Sequence, residues 1–140
     1  MRPKPAEQKE KWRLLVLARW QLGDVLEETL ELKGFEVTVL KSDDVVDVRA
    51  ELSGNQYDLV LPTNNGLSFK NIPDLVSWVK KDYPCIKVIV LSGFTESEFI
   101  SDLKQRGADD FLPLPFKIDD LTQRIRNMLS MTITGGENET

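Results

Sequence analysis

The 140-residue sequence contains no histidine and one cysteine, Cys85. A zinc site of the usual Cys and His ligands cannot be assembled from this inventory. No Ser-His or Cys-His pair is available for nucleophilic catalysis, and no internal disulfide can form. Cys85 precedes an apolar strand run and reads as a small buried residue. Long apolar runs are missing too. The longest near the start is LLVLA, Leu14 to Ala18, far short of a membrane-crossing helix. The opening MRPKPAEQKEK is charged, holds two prolines and has no apolar stretch of the signal-peptide kind, which points to the cytoplasm. An excess of positive charge is also missing. The net charge is −5, and the basic residues are scattered or gathered in the first 13 positions. Nucleic-acid binders carry a basic face, so neither nucleic acid nor membrane is an expected partner.

What is present is a regular alternation, in a chain long enough for one domain with a proper core. Short apolar runs at Leu14–Ala18, Phe35–Leu40, Leu59–Pro62, Ile86–Leu91 and Asp110–Pro113 lack clean polar alternation, as expected of strands covered on both faces. Between them lie helical spacings: Leu22, Val25, Leu26, Thr29 and Leu30; Val45, Val48 and Leu52; Ile72, Leu75, Val76 and Val79; Ile100 and Leu103; Leu121, Ile125, Met128 and Leu129. Gly34, Gly54 and Gly107 follow three of these helices, where a left-handed C-cap is wanted. Ser42, Asp43 and Asp44 read as a helix start. Thr95 and Glu98 have capping-box spacing, with Phe94 and Phe99 spaced as a hydrophobic staple. Five strands alternating with five helices predict an α/β domain over 12–130, a three-layer sandwich with a parallel sheet between helices. The ends, 1–11 and 131–140, read as flexible tails.

Four stretches in order resemble one family. LLVLARWQLGDVLEETLELKGFEV resembles the opening of a response-regulator receiver domain, YDLVL its third strand, and VIVLSG its fourth strand ending in a hydroxyl residue. GADDFLPLPF resembles its G-A-x-[DG]-[FY]-[LI]-x-K-P-F ending. The resemblance implies a flavodoxin-like (βα)5 fold with strand order 2-1-3-4-5 and a functional cleft at the carboxyl ends of strands 1, 3 and 5. It also implies bacterial two-component signalling. In this family an Asp after strand 3 accepts a phosphoryl group, two acids after strand 1 help it to hold Mg²⁺, and a Lys after strand 5 pairs with the phosphoryl oxygens.

Carried over position by position, that chemistry is missing. The acid pair falls on Ala18 and Arg19, the acceptor on Thr63 and the lysine on Leu114. No other acid is placed to substitute. Asp58 opens strand 3, roughly 16 Å from its far end at about 3.3 Å per residue. Asp24 lies inside the first helix, Asp109 and Asp110 open strand 5, and Asp43 and Asp44 follow the edge strand. Arg19 would repel Mg²⁺. Thr63 reads as a polar loop residue beside Asn64, Asn65 and Gly66, in preference to a kinase substrate.

The family's switch positions survive in kind as Ser92 and Phe111, and Pro115 matches a proline that the resemblance places after a cis bond. The surface that the family uses for partners and dimers, helix 4 with strand 5 and helix 5, would offer Phe99, Asp102, Phe111, Pro113 and Arg124. Trp20, in the loop after strand 1, is a further candidate contact at the cleft rim.

The expectation is a pseudo-receiver: a phosphorylation-independent signalling domain that contacts a bacterial protein partner or a second copy of itself. It has no catalytic residues, no Mg²⁺ and no other cofactor. The alternative is a receiver still switched by phosphorylation or by a small polar ligand near Thr63, Asn64, Asn65 and Ser92. A cofactor-binding enzyme on the same fold is disfavoured. Ala18-Arg19-Trp20-Gln21 is no flavin phosphate loop, cobalamin lacks its histidine, and G-x-G-x-x-G is absent.

Overall fold

The computed structural model describes residues 11–42, 44–64 and 72–138. Five strands, β1 (Arg13–Leu17), β2 (Glu36–Leu40), β3 (Leu59–Asn64), β4 (Lys87–Ser92) and β5 (Asp110–Pro113), form one sheet in the order β2-β1-β3-β4-β5. Every pairing is parallel. The helices are α1 (Trp20–Leu32), α2 (Val45–Gly54), α3 (Ile72–Asp82), α4 (Ser97–Gln105) and α5 (Ile118–Asn138). The predicted flavodoxin-like architecture and strand order are both observed.

Why the strands lack polar alternation is visible in the core. Side chains alternate across a strand, and here both faces are covered. Leu15, Leu17, Val60, Val88, Val90 and Phe111 face one way, toward Val48, Leu52, Leu75, Val76, Val79 and Leu103 of α2, α3 and α4. Leu14, Val16, Leu59, Leu61, Ile89, Leu91 and Leu112 face the other way, toward Leu26, Leu30, Leu121, Ile125 and Leu129 of α1 and α5. No helix among the described residues is long and apolar enough to cross a membrane.

The register brings the strand ends level. Leu17 partners both Leu40 and Pro62, Thr63 partners Leu91, and Ser92 partners both Asn64 and Pro113. The order in which successive strands are laid down reverses between β1 and β3, the point where open α/β sheets leave a crevice at the strand ends.

Several local expectations are corrected. β3 does not stop at Pro62 but runs to Asn64. Its partners on β4 are those of Leu59, Val60, Thr63 and Asn64, and Pro62, with no N–H to donate, falls in the gap. Thr63 is therefore a strand residue, not a loop residue. Trp20 opens α1 instead of lying in a loop, and Arg19 is the N-cap residue in extended conformation; the Trp20 side chain lies outside the described residues. Gly34 and Gly107 take the left-handed conformation expected of C-caps, at φ 101° and 112°, but Gly54 is the last residue of α2 and Asn55 is its extended cap.

The start of α4 also differs. Glu96, not Thr95, is the N-cap residue, and its side chain makes no capping bond. The Phe94–Phe99 contact forms without the capping box. Cys85 is exposed, because it sits in the turn ahead of β4 and the buried run begins at the next residue, Ile86. Over 131–138 the backbone is helical, where a tail is expected from the sequence. Met131 to Thr134 contain no proline, and propagation of a formed helix is cheap. The expectations for 1–10, Asp43, Asn65 and Gly66 lie outside the described residues.

Candidate functional site

The carboxyl ends of β1, β3, β4 and β5 meet at the crevice, and the sequence-predicted positions converge there. Ala18 follows β1 directly, is 0% exposed and donates its N–H to the Leu40 carbonyl at 3.3 Å. Thr63 is 1% exposed, and its hydroxyl donates to the Leu17 carbonyl at 2.9 Å. That bond ties β3 to β1 at the position where the family resemblance puts a phosphoryl acceptor. Ser92, 0% exposed, is likewise engaged. Its Oγ accepts from the Phe94 N–H at 2.9 Å and donates to the Phe94 carbonyl at 3.3 Å. The Ser92 carbonyl accepts from the Leu114 N–H at 2.8 Å, and the Asn64 carbonyl accepts from the Gly93 N–H at 3.0 Å. The Leu114–Pro115 bond is cis. Leu114 itself is half-buried and packs against the α1/α5 side of the core.

The Mg²⁺ that the family resemblance implies finds no matching donors. A methyl group stands at 18, a guanidinium at 19 and a committed hydroxyl at 63. Among the described residues no three His, Cys, Asp or Glu side chains are grouped so as to hold a metal. The acids that might have substituted are occupied elsewhere. Asp58 accepts from the Arg13 N–H at 2.8 Å, and Asp24 pairs with Lys41 at 2.8 Å. Asp109 accepts from Lys80 at 3.0 Å and from the Val88 N–H at 2.9 Å. Asp44 caps α2 by accepting from the Val46 N–H at 2.9 Å.

The expected contact surface on α4, β5 and α5 is assembled, but several of its members are turned inward. Phe111 is buried, so its ring offers no contact area to a partner. Arg124 reaches both carboxylate oxygens of Asp110, at 3.1 and 3.0 Å, and Asp120 at 3.1 Å. The Asp120 hydrogen bond leads in raising its pKa above the ordinary arginine value, against the opposing effect of burial. Asp102 pairs with Arg106, which also reaches Asp74 on α3 at 3.0 Å. Phe99 is half-buried and Pro113 is exposed. The residue types there are those that the sequence pattern predicts, but their partners lie within the same chain.

A second feature was not anticipated. An apolar groove of about 750 Å³ lies between α1 and the segment after β5. Leu22, Val25, Phe94, Leu114, Phe116 and Ile118 line it. Val25 is 58% exposed and Phe94 54%. The signal was the breadth of the α1 stripe. Five apolar or small positions spanning Leu22 to Leu30 exceed what the sheet covers, and only Leu26 and Leu30 among them are buried.

With this geometry described, comparison with known proteins gives a consistent result. The sequence matches the response regulator receiver domain over residues 21–126. The swarming motility regulation protein RssB of Serratia marcescens is 30% identical over 118 residues, covering 81% of this chain and 50% of that protein. The structure of HP1043, an orphan response regulator of H. pylori, is similar with a TM-score of 0.74 at 31% identity, covering 84% of this chain and 96% of that one. A further solved structure, of an atypical orphan response regulator described as revealing a phosphorylation-independent regulatory mechanism, has a TM-score of 0.73 at 30% identity, covering 84% of this chain and 95% of that one. The chain spans half or less of the length of the curated relatives it matches. Motif order, strand order and family match agree, and this chain belongs to the response regulator receiver domain family.

Proposed function

We propose that this receiver domain signals without being phosphorylated, by binding another protein, and catalyses nothing itself. One observation carries the reading. At the position of the family's acceptor stands Thr63, almost fully buried and already bonded to Leu17. The positions of its acids and lysine are filled by Ala18, Arg19 and Leu114. A phosphoryl group arriving there would meet no carboxylate nucleophile, no metal ligands and no lysine. Receiver domains in two-component systems interact with proteins such as kinases. The orphan regulator described as phosphorylation-independent supports the same reading by its likeness to this chain. A polar ligand in the crevice is less well supported, because the hydroxyls of Thr63 and Ser92 are both satisfied internally.

Exposed apolar area rimmed by polar residues marks a contact surface, and the groove beside Val25 and Phe94 supplies it here. Its apolar lining suits the apolar edge of a partner helix. Two measurements test the reading. Amide NMR spectra recorded with Mg²⁺ and then beryllofluoride should show no saturable shifts at residues 18–19, 63–64, 92 and 114. Shifts clustered there would mean that the acceptor chemistry persists and would sink the proposal. For the surface, Val25→Glu and Phe94→Glu should each weaken capture of a native partner at least tenfold while leaving thermal unfolding within a few degrees of the parent chain. Undiminished capture by both variants would exclude the groove.

A further inference from the structure

We propose that the partner helix taken by this groove carries apolar residues at heptad spacing beside a flank of lysine or arginine, and that unpaired acids along α1 select it. The inference deepens the reading above and rests on it, by naming the chemistry of the partner for the same groove.

The seam lies on α1. Leu22, Val25, Thr29 and Leu32 follow one another at spacings of three, four and three residues, the a and d pattern by which one helix meets another. Leu22 and Thr29 are half-buried, whereas Val25 is 58% exposed and Leu32 80%. The first three line the groove, and Leu32 continues the stripe past it. At about 1.5 Å per residue the stripe runs roughly 15 Å, close to three turns of a helix laid alongside. A compact occupant would leave Leu32 bare; an elongated one covers it.

Charge defines the occupant further. α1 holds Asp24, Glu27, Glu28 and Glu31 and no basic residue. Asp24, Glu28 and Glu31 each stand one position before a seam residue, so they form an acidic stripe along one side of the seam. All three are exposed. Lys41 neutralises Asp24 at 2.8 Å, but Glu28 and Glu31 pair with no cation among the described residues. The facing wall, with Phe94, Leu114 and Phe116, is apolar. A helix seated between the two buries its apolar edge and brings one flank over Glu28 and Glu31, where flanking charges decide partner choice.

These acids do not serve α1 itself. Its first turn, where acids stabilise a helix, has none, and its last turn holds Glu31 and no base. Asp24 with Glu28, and Glu27 with Glu31, are like-charged neighbours four residues apart, which weaken a helix. An α1-to-α1 contact with a second copy would set one acidic stripe beside another, a costly juxtaposition. The occupant is therefore a different protein.

The test uses the full chain and two labelled synthetic helices of about three heptads, both with leucine at a and d, one with lysine at e and g and the other with glutamate there. Fluorescence anisotropy at low salt should show the lysine helix binding on the order of tenfold more tightly, with amide shifts at 22–32, 93–94 and 114–118. Added salt should narrow the gap. Leu32→Ser, outside the groove, should weaken the lysine helix several-fold. The double variant Glu28→Lys, Glu31→Lys should reverse the preference and melt at or above the parent temperature, because both like-charged pairs become attractive. Asp82→Lys on α3, across the sheet from α1, should leave the ratio of the two affinities unchanged. Equal affinities in the parent chain, an unreversed preference or a lower melting temperature in the double variant, an Asp82→Lys effect as large as the double variant's, or full binding by Leu32→Ser overturns the proposal. So does dimerisation of the parent chain that Leu32→Ser abolishes, which would give the seam to a second copy. Failure of the underlying reading looks different: beryllofluoride shifts around Thr63 in the separate titration, whatever the two helices do.

Discussion

Restoring the acceptor alone, by Thr63→Asp, is expected to destabilise the domain by about 3–5 kcal/mol at pH 7, as an uncompensated buried charge does, and to confer no phosphoryl uptake. Thr63 is buried between β1 and β4, and its hydroxyl donates to the Leu17 carbonyl. A carboxylate cannot donate, so two acceptors would face each other where one bond now stands. Neither metal ligands at 18 and 19 nor a lysine at 114 would balance the charge. Burial would push the new carboxyl above its ordinary value of about 3.9. The unfolded chain ionises more readily than the folded one. The penalty is therefore full above the folded pKa, shrinks as pH falls through it and vanishes below about 3.9. Urea denaturation at pH 7 and again near pH 4.5 should show the gap to the parent chain narrowing. Thr63→Val keeps the shape, loses one hydrogen bond and should cost only about 1 kcal/mol. A Thr63→Asp variant within about 1 kcal/mol of the parent chain at pH 7 would mean that the crevice admits water and accommodates an acceptor carboxylate.

Phe111→Ala should cost about 3–5 kcal/mol, the range for emptying a buried phenylalanine site. The ring is seated among the residues that α2, α3 and α4 press onto the sheet, and truncation leaves a cavity that the fixed neighbouring strand, β4, cannot close. Phe111→Leu retains most of the volume and should cost less than about 1.5 kcal/mol. Chemical denaturation of the pair, with equal m-values, would show the difference to be one of packing. A cost below 1 kcal/mol for the alanine variant would place the ring outside the core, turned toward solvent.

The architecture was legible because both of its signals are periodic. Unbroken apolar runs such as Ile86–Leu91 match strands covered on both faces, and the spacing Ile72, Leu75, Val76, Val79 names all four buried residues of α3. What was not legible depended on partners distant in sequence. Pro62 looks like the end of a strand, yet β3 continues past it and carries Thr63 into the buried sheet. The start of α4 offers four hydroxyl or acidic residues in succession, Thr95 to Glu98, and the chain enters the helix one residue later than Thr95. Arg124 and Asp102 belong to types often found at interfaces, but pattern alone does not reveal that Asp110, Asp120 and Arg106 already neutralise them. The groove was hidden for a related reason. A helix stripe shows which residues are apolar, not how much of it the neighbouring sheet leaves bare.

The turn that exposes Cys85 has a practical consequence. It precedes β4, whereas Gly93 and Phe94 follow that strand at its other end. Six strand residues at about 3.3 Å each put roughly 20 Å between the thiol and the groove. As the sole thiol in the chain, Cys85 would accept a maleimide dye at one defined point. It gives a fluorescence reporter, remote from the crevice and the groove alike, for following a partner as it arrives.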